Sequence, residues 1–153
     1  MAARIPRILC VCLGNTCRSP MAQGVIETMA AAAGLAVAVD SAGLGAWHAG
    51  KPPDPRGLTT AAKRGYDNSA QRSRLIDPAD FDAFDLILGM DASNIARLEE
   101  LRPPGAHARI RLFHPSGRDI PDPYYGDLPD YEHALDLIEA AAAELIADLA
   151  KRP

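Results

Sequence analysis

The stretch Ile8-Leu9-Cys10-Val11-Cys12-Leu13-Gly14-Asn15-Thr16-Cys17-Arg18-Ser19-Pro20 decides the fold of this chain. The apolar run from Ile8 to Leu13 has the length and composition of a buried strand. A helix is expected to start near Ser19 or Pro20, because proline fits the first helical turn, where its missing N–H costs nothing. Between strand and helix lies a tight loop, with Gly14 free to adopt positive φ and Asn15 able to tolerate it. The N–H groups of such a loop and of the helix start converge on one point and attract an anion. Arg18 adds a planar fork suited to two phosphate oxygens. Cys12 stands at the floor of that cradle, where the positive field favours thiolate over thiol. A cysteine and an arginine at this spacing are common in themselves. Their setting between a strand and a helix, with Ser19 directly after the arginine, makes the pattern informative.

Outward from this stretch, strands and helices alternate. Ile8–Cys12 reads as the first strand and Pro20–Ala33 as the first helix, with Gly34 as its C-terminal cap. Ala36–Ser41 is the expected second strand, followed by a loop around Trp47–Lys51. Asp54-Pro55 opens a helix reaching about Arg64, and Asp77-Pro78 opens a short helical turn. Asp85–Met90 is the third strand, Ala92–Arg102 the helix after it, and Arg109–Phe113 the fourth strand. Ile120–Pro129 is a loop rich in proline and tyrosine. Asp130–Lys151 is a closing helix, with Leu135, Ile138, Leu145 and Leu149 along one face. The alternation predicts an α/β fold: one domain over residues 1–153, with a four-stranded parallel sheet, doubly wound, and helices on both faces. In such sheets ligands bind at the carboxyl ends of the strands, which is where Cys12, Ser41 and Asp91 fall.

Composition narrows the function classes. The net charge of −4 argues against nucleic acid as a partner. No apolar run approaches the length needed to span a bilayer, and the run at Ile8 is too short for a secretory signal, so no membrane is expected, while export without a recognisable signal stays open. All three cysteines fall between positions 10 and 17, which is no disulfide framework and suits a reducing, cytoplasmic setting. No further cysteine or histidine completes a metal-ligand set, and no metal or other cofactor is expected.

Val11 to Pro20 resembles the signature of the low-molecular-weight protein tyrosine phosphatases. The resemblance continues through Asp40-Ser41-Ala42-Gly43, Trp47, Met90-Asp91-Ala92-Ser93-Asn94 and Asp122-Pro123-Tyr124-Tyr125-Gly126, and so covers nearly the whole chain. It implies hydrolysis of phosphotyrosine in proteins, with inorganic phosphate as product. Cys12 is then the nucleophile that forms a phosphocysteine, and Arg18 holds the phosphoryl oxygens. Leu13, Gly14, Asn15, Thr16 and Cys17 form the binding loop. Ser19 is expected to donate its hydroxyl to the Cys12 sulfur; a helix cap is its alternative role, and the two can coexist.

By residue type, the Asp-Pro at Asp122 marks a turn; the resemblance makes it the general acid, and later the base that activates water. Trp47, Tyr124 and Tyr125 lie in predicted loops, where core packing explains them poorly, and the resemblance makes them walls for an aryl group; His48 is expected at the rim. Asn15 and Ser41 are implied to join Ser19 in a hydrogen-bond network behind the loop. Asp91 reads equally as part of that support and as a helix cap, and Asn94 is a further supporting candidate. Family members often complete the network with a histidine after the second helix; here Gln71 takes that place. The resemblance also implies that Cys17 can pair with Cys12 and protect it from overoxidation, whereas by residue type Cys17 is a small buried apolar group. Cys10 reads as inert core. A tyrosine kinase acting on the loop tyrosines is a further candidate partner.

Three other functions compete. Thr16 matches phosphoarginine-selective relatives, so a protein arginine phosphatase is the nearest alternative. An arsenate reductase would need further cysteines for its disulfide relay, and none follows Cys17. A phosphopeptide-binding module without activity would not need Cys12, Arg18 and Asp122 together.

Overall fold

The computed structural model describes residues 5–151. The expectation of one domain over 1–153 therefore extends beyond the described residues at both ends. The elements in chain order are β1 (Arg7–Cys12), α1 (Arg18–Ala32), β2 (Ala38–Gly43), α2 (Pro55–Lys63), α3 (Asp80–Ala83), β3 (Leu86–Gly89), α4 (Ala92–Leu101), β4 (Arg109–Leu112) and α5 (Leu128–Ala150). The four strands form one parallel sheet in the order β2-β1-β3-β4. Each parallel neighbour requires a crossover, and α1 and α4 supply two of them.

β1 lies inside the sheet, and its period-two alternation divides the core. Ile8, Cys10 and Cys12 face α1 and α5 in one apolar cluster, while Leu9 and Val11 face the α3 and α4 side in another. The sheet is therefore covered on both faces, as the continuous apolar run required. The strand order reverses direction at β1 and β3, and a crevice opens there beyond the carboxyl ends of the strands. The loop after Cys12 occupies it.

Element boundaries moved where local chemistry differed from the sequence reading. α1 starts at Arg18, two residues before the expected Pro20, with Cys17 in the capping position and making no side-chain cap bond. Ser19 is thus inside the first turn rather than a cap. Pro20 fits the third helical position, because no N–H of the first turn has an intrahelical acceptor. The helix ends at Ala32, one residue short of the expected Ala33, which becomes the cap, and Gly34 follows it with φ +70; Leu35 N–H donates to the Ala30 carbonyl and Gly34 N–H to that of Ala31. α5 begins at Leu128 rather than Asp130, because the Asp130 carboxylate reaches back to accept the Asp127 N–H (2.8 Å) and Pro129 suits the first turn.

β2 runs two residues further along the chain than expected, pairing Cys12 with Gly43. The glycine is what allows this: a Cβ on Gly43 would lie 2.9 Å from the Gly14 carbonyl carbon and 3.0 Å from the Asn15 nitrogen. Gly43→Ala should therefore push the anion loop rather than a flexible side chain, at a cost of about 1–3 kcal/mol. Urea unfolding together with phosphatase assay tests this; unchanged stability and activity would show that the contact is not limiting.

Candidate active site

The loop from Leu13 to Cys17 is held by its own carbonyls. The Cys12 and Leu13 carbonyls accept from Leu44 N–H (3.1 and 2.9 Å), and Gly45 N–H also donates to Leu13 (3.0 Å). Asp54 N–H donates to the Thr16 carbonyl (3.0 Å), and the Ser73 hydroxyl donates to the Asn15 carbonyl. By contrast, no backbone N–H from Leu13 to Cys17 donates to another described residue. Turning the carbonyls outward in this way leaves the N–H dipoles to act on an anion at the loop centre.

Asn15 stabilises this curvature. It is the one non-glycine among the described residues with positive φ (52°). Its Oδ1 accepts the Arg74 N–H (2.9 Å), which fixes the amide orientation because a backbone N–H can only donate. Its Nδ2 therefore faces Ser19 Oγ (2.8 Å) and Ser41 Oγ (2.9 Å) and donates to both. With a lone pair occupied by Asn15, the Ser19 hydroxyl is free to direct its hydrogen to Cys12 Sγ, 3.0 Å away. The expected network of Asn15, Ser19 and Ser41 is thus present, and all three side chains are buried.

Gln71 is not part of it. Its Nε2 donates to the Pro20 carbonyl (3.1 Å), and its buried Oε1 has no protein partner. Ser73 and Arg74 make the contacts to Asn15 instead. The Gln71 amide turns to α1, and Ser73 and Arg74, two and three residues further along the chain, face Asn15.

Arg18 is only 2% exposed. Its Nη1 donates to Asp91 Oδ2 (2.6 Å) and to the Ile120 carbonyl (2.8 Å), and Nη2 lies 3.4 Å from Asp122 Oδ2. Its Nε is buried without a partner. Burial works against the charge, but Cys12, Asp91 and Asp122 more than offset it and keep the guanidinium protonated. Asp91 plays both of the parts foreseen for it. One oxygen holds Arg18, while the other accepts the Asn94 N–H (2.8 Å) and caps α4. Burial raises the Asp91 pKa, but the bonds from Arg18, Ser93 and Asn94 prevail and hold it below the ordinary carboxylate value. Asn94 closes the cap by accepting the Met90 and Asp91 N–H groups (3.1 and 3.3 Å). Its side chain accepts no N–H of the Cys12 loop, and its support acts through the Met90–Asp91 backbone and the α4 cap.

A cavity of about 330 Å³ opens over the loop. Cys12, Leu13, Gly14, Thr16 and Cys17 form its floor, and Trp47, His48, Tyr124 and Tyr125 its walls, with Asp122 at the edge. The Trp47 ring lies over Gly45, where a Cβ would come within 2.0 Å of it, and His48 lies over Gly14. The His48 and Tyr124 rings are 5.8 Å apart, and Tyr124 meets Tyr125 edge-on at 4.9 Å. Trp47 is 66% exposed and Tyr125 96% exposed, so neither is a core residue. A larger groove of about 790 Å³ runs between β4 and the end of α5, but it holds no cysteine.

Cys17 is more than a small apolar filler: its thiol lies 3.2 Å from the Tyr131 hydroxyl, and burial pushes its pKa up to about 12. Cys10 is fully buried in β1, and burial raises its pKa strongly. All three cysteines are free thiols. Among the described residues, no group of His, Cys, Asp and Glu has the arrangement of a metal site, and no helix is long and apolar enough to cross a membrane. The sequence reading missed Ser73, Arg74 and Arg56, which reach the site across long separations in the chain. The only signal for Arg56 was its place beside the Asp54-Pro55 helix start.

The model of a family described as low molecular weight phosphotyrosine protein phosphatase matches residues 7–153. A low molecular weight protein-tyrosine-phosphatase of Streptomyces coelicolor is 38% identical, over 92% of this chain and 92% of its own. The crystal structure of YfkJ from Bacillus subtilis superposes with a TM-score of 0.87 at 34% identity, covering 97% of both chains. That of a Drosophila arginine phosphatase has a TM-score of 0.89 at 31% identity, covering 95% of this chain and 99% of its own.

Proposed function

Because this chain belongs to the low molecular weight phosphotyrosine protein phosphatase family, we propose that it hydrolyses phosphotyrosine in proteins through a phosphocysteine on Cys12. The observation that carries the reading is Cys12 at the floor of one aromatic-walled cavity, beside loop N–H groups without a protein acceptor, with the buried Nε of Arg18, directly after the loop, also lacking one. Phosphoryl oxygens supply the acceptors those donors lack. The Cys12 thiolate attacks phosphorus, forming the P–S bond as the P–O bond to tyrosine breaks. Asp122 gives its proton to the departing phenolate oxygen. A water molecule then attacks phosphorus, Asp122 takes its proton, and the P–S bond breaks to release inorganic phosphate. The Ser19 hydroxyl stabilises the thiolate at both ends of the cycle. Trp47, Tyr124 and Tyr125 hold the aryl ring, a role that fits the exposure of Trp47 and Tyr125, while Tyr124 is half-buried and packs against the core. A reducing, cytoplasmic setting belongs to the same reading, as does a kinase with access to the exposed Tyr125.

One observation favours a second substrate. Thr16 lines the cavity floor, where its hydroxyl can meet a guanidinium, and a solved relative is an arginine phosphatase. A single pocket contact is worth about 1–3 kcal/mol, which three aromatic walls outweigh. Parallel kcat/KM values on a phosphotyrosine and a phosphoarginine peptide test this, with Cys12→Ser as the blank. The expected outcome is a preference for phosphotyrosine of tenfold or more, on the order of one such contact. A preference for phosphoarginine would overturn the substrate and leave the mechanism standing.

A further inference from the structure

The segment that carries Asp122 has no regular structure, yet its carboxylate must meet the leaving oxygen over a loop more than a hundred residues earlier in the chain. Among the described residues, the backbone of residues 121–126 accepts hydrogen bonds from outside itself from Arg56 alone. Arg56 Nη2 donates to the Tyr124 carbonyl (2.8 Å) and Nη1 to that of Gly126 (3.0 Å). Tyr124 is also the residue whose N–H holds Asp122 Oδ1 (3.2 Å), so a single residue separates the guanidinium from the carboxylate.

The other end of the link is the anion loop. Arg56 Nε and Nη2 form a two-point pair with the Asp54 carboxylate, both at 3.0 Å. Asp54 N–H is bonded to the Thr16 carbonyl. The guanidinium also lies over the Tyr131 ring (4.9 Å), whose hydroxyl meets Cys17. A fork that engages one carboxylate and two carbonyls at once is geometry only arginine provides.

We infer that Arg56 is a positioning residue that holds the Asp122 segment in register with the Cys12 loop, and so sets proton delivery to the leaving group. The inference rests on the assignment of Asp122 as general acid. Loss of that register should cost most where the leaving oxygen most needs a proton. With a phenol or tyrosine leaving group, Arg56→Lys and Arg56→Ala should lower kcat/KM, which reports the first phosphoryl transfer and not the later hydrolysis common to all substrates, by about 10²-fold, the scale of a small misplacement. With 2,4-dinitrophenyl phosphate, whose phenolate leaves without help, the loss should stay within a few fold. Lysine keeps the charge but not the fork, and should not rescue. Inhibition by inorganic phosphate should change little, since the anion loop keeps its own carbonyl anchors apart from the Asp54 contact.

The experiment compares both substrates in the wild type, the two Arg56 variants and Asp122→Asn, with thermal melting and phosphate inhibition as checks on folding. Equal losses on both substrates in the Arg56 variants, or full rescue by lysine, would overturn the inference while Asp122→Asn still discriminates between substrates. No discrimination by Asp122→Asn would instead overturn the assignment of the acid, and the inference with it.

Discussion

Cys12→Ser should abolish turnover, lowering kcat/KM on aryl phosphates and phosphotyrosine peptides by about 10⁵-fold or more, as when other enzymes lose their nucleophile. The reason is local. A serine hydroxyl is not ionised near neutral pH, and the Ser19 hydrogen bond at 3.0 Å cannot make it so. The substitution changes one buried atom, so the fold and the anion loop should persist, and phosphate should still raise the melting temperature. Acid-quenched mass spectrometry adds a direct test: a phosphoryl group should appear on the wild-type chain during turnover and be absent from the variant. Residual activity within tenfold of wild type would remove Cys12 as the nucleophile.

Arg18→Lys should lower kcat by about 10³–10⁵-fold, the range over which an arginine stabilises a transferring phosphoryl group. Lysine carries the charge but cannot bond Asp91 and the Ile120 carbonyl while presenting a second edge to phosphate. It should also destabilise the fold by about 1–3 kcal/mol, because the Ile120 carbonyl and the Asp91 carboxylate lose a charged donor. Stability and catalysis separate in one measurement. Phosphate should raise the melting temperature of the wild type by mass action and leave that of the variant unmoved. A variant with an intact phosphate-induced shift and less than a tenfold loss of kcat would show that Arg18 serves the fold alone.

The central βα unit was legible because everything that makes it is local. A strand long enough to be buried on both faces, a glycine and an asparagine at the curve, and a helix start at Arg18 lie within a short run of chain. The apolar period of α5 and the Gly34 turn after α1 were legible for the same reason. The extent of β2 was not, because Gly43 joins the strand only when the loop after Cys12 comes down beside it.

The sequence by itself determined the sheet class, the thiol at the strand end and the arginine that follows it, since spacing along a loop carries that chemistry directly. Tertiary structure decided which distant residues serve that loop. It gave the Asn15 contacts to Ser73 and Arg74 rather than Gln71, confined Asn94 to the Asp91 cap, and placed Arg56 between the thiol loop and the segment of Asp122. Those assignments depend on crossovers that bring residues tens of positions apart to one end of the sheet. A hydrogen bond depends on tenths of an ångström at its ends and on nothing in the chain between them.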